Sequence, residues 1–500
     1  MIASPRLPHN PLNETLLDRA LSVDMMPSGS TATAVLPGYE AQLSNGGVEH
    51  SRVKLSTAAA ALREQLRECS AGGKSTSVDI CERPCLRDET LSYRCRVTFQ
   101  LLCSNGGDDE VWEYAMRTNK EAVSINCSHF PIATLRIQVA MDELMQLFNG
   151  DGKIKFTTLL SARPASISFA SSWADDKDLT VTINYTDQLP TPSTDEESKW
   201  LSEADEVREQ CRLTSLTGRS RKRKLVSYGQ SSNDEGNIVI RDSITVCYDG
   251  ANGDIIDVLV GERQPPHEGD ICIKYEKPED AFAHPNGNAM KMALSWILTR
   301  MTLISSELDD NDVGLLEMYC GCGAHTVPIA KVCSNTCIKF ISCVELDERL
   351  IVACQKNLRL NGIDAEFRRP GKELEKEREL SGPAVHLFRG DAGEWAKKST
   401  HKLNSRKKTE QVCNSNTTWY GRDYTILLVD PPRAGLSPDV CRMAIEGSFQ
   451  HIIYISCGKE ALLRDLAILG SVFVIADCTL IDLFPRTDAV ESLVHLRRRK

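Results

Sequence analysis

The chain has 500 residues, 41% of them hydrophobic and 26% charged, with a formal net charge of −10. That length exceeds one ordinary core and fits two domains of about 100 to 200 residues each, and the composition is that of a folded globular protein. The negative balance excludes indiscriminate coating of nucleic acid, so any RNA contact must be patchy, and the longest apolar stretch, 471–484, is interrupted by Asp477 and Asp482, so no membrane partner is expected.

The first twenty residues lack a basic head followed by an apolar block, which argues against a secretory signal. Nineteen scattered cysteines, an odd number, fit reduced thiols better than a disulfide framework. The expected location is therefore intracellular and cytoplasmic, with an organelle or the nucleus left open. Residues 1–38, rich in Pro, Ser, Thr and Asn without periodicity, read as a flexible leader. The run KLSTAAAALREQLREC (54–69) has apolar residues at helical spacing and predicts a helix. Between 93 and 156, segments such as YRCRVTFQLL alternate polar and apolar residues and are separated by turn signals such as SNGGDD, the pattern of antiparallel strands. The stretches 189–205 and 230–236, acidic and rich in Ser and Thr, read as surface insertions. Residues 39–280 are thus expected to form a β-rich α+β domain.

From 281 to 500 the texture changes. An amphipathic helix over 290–308 leads into short apolar strands alternating with helical patterns, the signature of a parallel, Rossmann-like α/β domain. The strand candidates are 315–319, 340–345, 385–389, 425–429 and 452–456. In such sheets the ligand sits at the carboxyl ends of the strands, so the chemistry is sought there.

The first strand ends in EMYCGCGAH (317–325), where Gly321 and Gly323 allow the backbone to approach a cofactor. The second ends at Glu345, the place of an acid that accepts hydrogen bonds from ribose hydroxyls. At this point both NAD and S-adenosylmethionine are open. The third ends in RGDAGEW, where Asp391 suits either an adenine contact or a helix N-cap. The fourth ends in LLVDPPRAGL, where Asp430 closes an apolar run and two prolines fix the exit. Arg433 stands where a substrate-stacking aromatic would favour amine methylation; a guanidinium suits a carbonyl or phosphate instead. The fifth ends in YISCGKE, which places Cys457 at the same sheet edge, and the last segment, LFPRTDAVESLVHL, brings Glu491 among apolar neighbours, where a carboxylate is costly unless used.

Taken together, EMYCGCG, VELDE, DPPRAGL, YISCGKE and FPRTDAVE, in that order and spacing, resemble the RNA uridine-5-methyltransferases over the whole catalytic half. LPGYEAQL, SYRCRVTFQ, HFP, LTGRSRKRK and AFAHPN in the first half are similar to the bacterial tRNA (uracil-5-)-methyltransferase branch, which makes ribothymidine in the T-loop of tRNA. The resemblance implies a C-terminal S-adenosylmethionine-dependent methyltransferase domain preceded by a β-rich RNA-binding domain, with the T-arm of tRNA as partner and a monomeric chain. It implies Cys457 as nucleophile, Glu491 as proton acceptor and Arg433 as active-site cation, with His284, Tyr319, Gly321, Gly323, Glu345 and Asp430 on the cofactor. Arg94, Arg96, Phe282, Arg219, Arg221 and Lys222 are the expected RNA contacts; the basic run 219–224 also reads as a solvated loop or a nuclear localisation signal. The cysteines at 69, 81, 85, 95 and 103 lack the tight C-x2-C pairing of an iron–sulfur site, so neither a cluster nor a metal is expected. The chain departs from the family at His284, where Gln is usual, and at Ala324, Gly458, Lys459 and Ala489.

The expected reaction needs these groups. Carbon 5 of uracil is a poor nucleophile until a thiolate adds at carbon 6 and generates an enolate. A thiol of ordinary pKa near 8.5 is mostly protonated at neutral pH, so Arg433, with Lys459 second, is the expected cation that favours thiolate. The competing readings are an RNA-binding chaperone or assembly factor that keeps the fold without turnover, and an amine or small-molecule methyltransferase.

Overall fold

Apolar and small residues recur at helical spacing through Ser51, Leu55, Ala58, Ala59 and Leu62, and these, with Lys54, form the buried face of the first helix in a computed structural model of the chain, α1 (Gly47–Cys69). The structure describes residues 47–499 except 70–79, 85–90, 107–108, 118–121, 126–129, 151–155, 174–177, 222, 230–237, 250–254, 264, 266, 280, 282, 309–312, 369–381 and 409–423. The expected leader, the LPGYEAQL motif, the 230–236 insertion, Phe282 and Lys222 lie outside the described residues. The helix expected over 54–69 begins earlier, at Gly47, because Ser51 and Lys54 already belong to its buried face. It is followed by β1 (Ile80–Arg83).

The chain divides into two compact units, one built from Arg94–Ser171 and Leu179–Ser227, the other from Ala41–Tyr93, Ser172–Asp178 and Tyr228–Lys500. In the first, β2 (Arg96–Gly106), β3 (Asp109–Arg117) and β4 (Ala122–Ile125) precede α2 (Leu135–Asn149) and α3 (Thr157–Ser161). Then come β5 (Pro164–Ser171), β6 (Leu179–Tyr185), α4 (Asp195–Gln210), β7 (Ser215–Ser220) and β8 (Arg223–Tyr228). Among the described residues the strands form one sheet of order β4-β3-β2-β5-β6-β7-β8. Alternation along β2 sends Val97, Phe99 and Leu101 into the core, where Phe99 meets Phe130 edge to face at 5.0 Å between ring centroids.

Two sequence expectations need correction here. The 93–156 region is not strands alone: α2 buries Ile137, Ala140, Met141, Leu144 and Phe148 on one side, a 3.6-residue period next to shorter alternating runs. The 189–205 stretch is no surface insertion. Its acidic residues cap and solvate α4, while Trp200 is fully buried and Glu203 accepts from the Thr158 and Leu159 amides. A Cβ on Gly218 would stand 2.4 Å from the Trp200 ring, so the glycine of LTGR is there to let the indole pack against β7.

The second unit continues with an antiparallel three-stranded sheet of β9 (Val239–Tyr248), β10 (Ile255–Val260) and β11 (Ile271–Pro278). The remaining elements are α5 (Gly287–Glu307), β12 (Val313–Met318), α6 (Thr326–Val332), β13 (Ile338–Glu345), α7 (Glu348–Leu360), β14 (Ala365–Phe367), β15 (Ala384–Arg389) and α8 (Ala392–Lys408). They are followed by β16 (Tyr424–Val429), α9 (Pro438–Glu446), β17 (His451–Ser456), α10 (Lys459–Leu469), β18 (Phe473–Ile481) and β19 (Glu491–Arg498). Each of the five expected parallel strands is found within two residues of its expected start, because a buried parallel strand is an uninterrupted apolar run. The larger sheet has the order β1-β18-β19-β17-β16-β12-β13-β15-β14. Among these strands β19 alone runs antiparallel to its neighbours. Successive residues of one strand enter opposite cores: Leu315 and Leu428 belong to one, Leu316 and Leu427 to the other. The strand order reverses between β12 and β16, which is the switch point where doubly wound sheets bind ligands. No helix among the described residues is long and apolar enough to cross a membrane.

Candidate active site

Five residues meet at one edge of the larger sheet because of strand direction. Glu345 closes β13, while Tyr319, Asp430 and Cys457 follow β12, β16 and β17, so they stand at the carboxyl ends of adjacent parallel strands. Glu491 opens β19, and because β19 is antiparallel its first residue arrives at the same edge. The last registered pair of β17 and β19 is Ser456 with Ser492, which puts Cys457 and Glu491 one step further out. On its other side Glu491 is registered with Ile481 of β18.

The electrostatics of this edge follow from burial. Glu491 is 7% exposed, and burial, reinforced by the charge of Asp430, pushes its carboxyl well above the usual carboxylate range. Burial also raises Asp430, to about 7. The Cys457 thiol is pushed up from its ordinary value by burial, by Glu491 and by Asp430; the charge of Arg433 opposes them. Arg433 is the cation expected to favour the Cys457 thiolate. Arg433 acts in the anticipated direction, but desolvation and two carboxyls outweigh one exposed guanidinium. Lys459 is exposed at the start of α10. A Cβ on Gly458 would lie 2.4 Å from the Arg433 carbonyl oxygen, so the residue after the cysteine must be glycine for the 430–436 loop to pass this close.

The β12 turn is shaped for a ligand. Tyr319 has φ 65°, a left-handed conformation unusual for a tyrosine, and its amide donates to the Val344 carbonyl at 2.9 Å. Gly321 has φ 56° with open space where a side chain would stand; Gly323 has φ 85°, and a Cβ there would meet Cys354 Sγ at 2.8 Å. Glu345 spans the turn, accepting from the Gly321 amide at 3.0 Å and the Asp347 amide at 2.8 Å. Asp391 accepts from the Glu394 amide at 2.9 Å, so it acts as an N-cap of α8. His284 lies before α5 with Nδ1 2.9 Å from the Asn286 carbonyl, and its own carbonyl accepts from the Trp173 indole at 2.7 Å. Burial lowers its pKa to about 4, so the imidazole is neutral at physiological pH.

Of the expected RNA contacts, Arg94, Arg96, Arg219 and Arg221 belong to the first unit. Arg94 joins Ala133 in an isolated bridge and donates from Nε to the Arg96 carbonyl at 3.0 Å. Register across β2, β5, β6 and β7 aligns Thr98, Ser168, Thr182 and Thr217 in one row and Gln100, Ser166, Asn184 and Arg219 in the next. Arg96 and Arg219 therefore share the polar face of that sheet. Arg221 is exposed in the turn before β8, and Arg223 is committed to an ion pair with Glu197.

Sequence reasoning passed over three groups at the edge of the larger sheet. Glu317 is 1% exposed inside β12; its Oε2 accepts from Thr326 at 2.6 Å while Oε1 has no hydrogen-bond partner, and burial raises its carboxyl well above the ordinary range. An acid within VGLLEMY was the available signal. Asp465, fully buried on α10, accepts from Tyr454 at 2.6 Å and from the Leu436 amide at 2.8 Å, and Arg464 donates to the Ala434 and Leu436 carbonyls. This pair fastens the 430–436 loop. Lys54 of α1 is the third.

Residues 267–370 and 396–499 match the family model described as tRNA (Uracil-5-)-methyltransferase. A relative from Ectopseudomonas mendocina, named tRNA/tmRNA (uracil-C(5))-methyltransferase, is 27% identical over 408 residues, covering 81% of this chain and 88% of the relative. One of the same name from Azotobacter vinelandii is 28% identical with the same coverage. Among solved structures, the Pyrococcus abyssi tRNA (uracil-54, C5)-methyltransferase in complex with S-adenosyl-L-homocysteine aligns with a TM-score of 0.49 at 16% identity, covering 93% of this chain and 87% of that one.

Proposed function

We propose that this chain, which matches the tRNA (Uracil-5-)-methyltransferase family model over residues 267–370 and 396–499 and resembles the tRNA/tmRNA (uracil-C(5))-methyltransferases over most of its length, is an S-adenosylmethionine-dependent enzyme acting on uracil carbon 5 in tRNA, that its target is the T-loop uridine, and that Cys457 and Glu491 carry out the reaction through a covalent adduct at carbon 6. The observation that carries this reading is the convergence of buried Glu491 and Asp430, half-buried Cys457 and the exposed Arg433 guanidinium at one sheet edge beside the switch point.

The chain's residues fit the cofactor. Gly321 leaves space for it, Glu345 would receive its ribose hydroxyls, and Oε1 of Glu317, which makes no hydrogen bond and lies 3.8 Å from His325 Nδ1, is a buried polar atom that a protonated carboxyl can offer as donor or acceptor. When bound, S-adenosylmethionine supplies an electrophilic methyl group. Cys457 adds through sulfur to carbon 6 of uracil, and the ring's electron pair moves to carbon 5 as an enolate. The charge of Arg433 favours the thiolate, in opposition to burial and to the two carboxyls, which together hold the thiol pKa up. Once carbon 5 carries the methyl group, Glu491 takes its proton, the carbon 5–carbon 6 double bond re-forms and the sulfur departs. A buried carboxylate is a stronger base than an exposed one, which suits removal of a proton from carbon.

RNA must present its uridine unstacked, at a cost of a few kcal/mol. The polar face that Arg96 and Arg219 share, extended by Arg94 and Arg221, supports a role for the first unit in holding the T-arm backbone. The departure at 458 does not favour a non-catalytic assembly factor, since Gly458 is sterically matched to the Arg433 carbonyl. Turnover on a T-arm hairpin, a ribosomal RNA fragment and free uridine tests the proposal. The hairpin is expected to be methylated and uridine not; preference for the ribosomal fragment would overturn the target, and activity on none would overturn catalysis.

A further inference from the structure

The nine residues that connect β18 to β19, 482–490, deliver the proposed base, yet they contain no helix or strand. Their shape is imposed from elsewhere in the same unit. Lys54, on α1, has a side chain 7% exposed, and its Nζ donates to the carbonyls of Phe484 (3.0 Å), Thr487 (2.7 Å) and Ala489 (3.0 Å). It is also ion-paired with Asp482, whose side chain is fully buried. An ammonium has three protons, and three carbonyls take them, while the carboxylate compensates the charge. The two ends of this grip flank the base: Asp482 directly follows Ile481, the registered partner of Glu491, and Ala489 lies two residues before Glu491. Tyr93, donating to the Pro485 carbonyl at 3.0 Å, and Asn286, donating to the Leu483 carbonyl at 2.8 Å, hold the middle.

We propose that Lys54, paired with Asp482, is a positioning residue for Glu491: it sets the width of the 482–490 loop so that β19 begins at Glu491, opposite Cys457. The proposal rests on Glu491 being the base. It assigns to α1 a role in proton removal and not only in packing. A loop that loses this clamp keeps Cys457, Arg433 and the cofactor turn in place, so methyl transfer persists while release of the carbon 5 proton slows.

The test separates the two chemical steps. A T-arm hairpin carrying tritium at uridine carbon 5 is incubated with ¹⁴C-methyl-labelled S-adenosylmethionine and Lys54→Met, Lys54→Arg, or Lys54→Met combined with Asp482→Leu, the last removing the uncompensated carboxylate should Lys54→Met alone fail to fold. Tritium release is expected to fall at least tenfold more than ¹⁴C transfer in the Met variants. An RNA adduct stable to denaturation should accumulate, RNA affinity should stay within about twofold of the wild type, and Lys54→Arg should recover part of the release. Release and transfer falling together in folded protein, or neither falling, would overturn the role of Lys54. Glu491→Gln is run alongside: adduct with Glu491→Gln but none with the Lys54 variants sinks this proposal alone, whereas no adduct with Glu491→Gln sinks the base assignment and this proposal with it.

Discussion

Cys457 and Glu491 sit one step beyond the last registered pair of two antiparallel strands, Ser456 of β17 and Ser492 of β19. The Ser456–Ser492 pair holds the two strands at the inter-strand spacing of a sheet, about 4.5 to 5.5 Å between Cα atoms, so the residue that follows β17 and the residue that opens β19 leave the ladder side by side.

This arrangement makes the two residues separable by mutation. In the proposed mechanism Cys457→Ala removes the atom that activates uracil, so methyl transfer should fall below detection while RNA affinity, measured by filter binding, is retained. Glu491→Gln leaves addition and methyl transfer intact and removes the acceptor for the proton. A methylated RNA–protein adduct should persist through denaturing electrophoresis, and near-normal turnover in either variant would contradict its role.

Activity should rise with pH. Glu491, Asp430 and Cys457 all have their pKa raised by burial, Asp430 to about 7, and the reactive forms of Cys457 and Glu491 are the deprotonated ones. Single-turnover rates are expected to increase from pH 6 to pH 9, approaching tenfold per pH unit at the acid end where one group limits. A rate that is flat or falling across that range would mean that neither group ionises on the reaction path.

Gly458 is predicted to be intolerant of any side chain. Its φ of −114° suits other residues, so the restriction is steric: the Arg433 carbonyl occupies the Cβ position at 2.4 Å. Gly458→Ala should displace the 430–436 loop, lower the methylation rate at least tenfold and cost about 1–3 kcal/mol of stability by overpacking. Wild-type rate and melting temperature in this variant would show that the loop can move aside freely.

Acid sensitivity should come partly from the core. His495 and His451 contact each other through Nε2 and Nδ1 at 3.0 Å between β19 and β17, and burial first, then the charge of His451, lowers His495 to about 3. A histidine whose folded pKa lies below its unfolded value of 6.5 contributes stability at neutral pH that is lost as pH falls through 6.5 toward the folded value. Between pH 7.5 and 5 this amounts to roughly 2 kcal/mol. Thermal melts should show that His495→Leu loses less stability on acidification than the wild type; equal losses would exclude His495 as the titrating group.

Much of this protein was legible in the sequence, and for a common reason. Strands buried on both faces are apolar runs, so β12, β13, β15, β16 and β17 announced themselves. The residues that end those runs, Tyr319, Glu345, Asp430 and Cys457, are polar because strands stop where the ligand edge begins. Local pattern also yielded α1 and α5 to within several residues. It failed at α4, where composition is acidic but Trp200 and Glu203 turn inward, since one buried face of an otherwise solvated helix contributes few apolar letters.

The tertiary structure alone decided everything that depends on direction and long-range partnership. That Glu491 reaches the site follows from β19 running antiparallel, which no local pattern encodes, and that Cys457 remains a poor acid despite Arg433 follows from how burial and two carboxyls sum in space. The clamp of Lys54 on a loop more than four hundred residues away, and the hold of Asp465 on the turn after Asp430, are side-chain to backbone contacts whose partners are carbonyls and amides common to every residue. Such contacts leave no mark on the partner's identity, so only the folded chain reveals them.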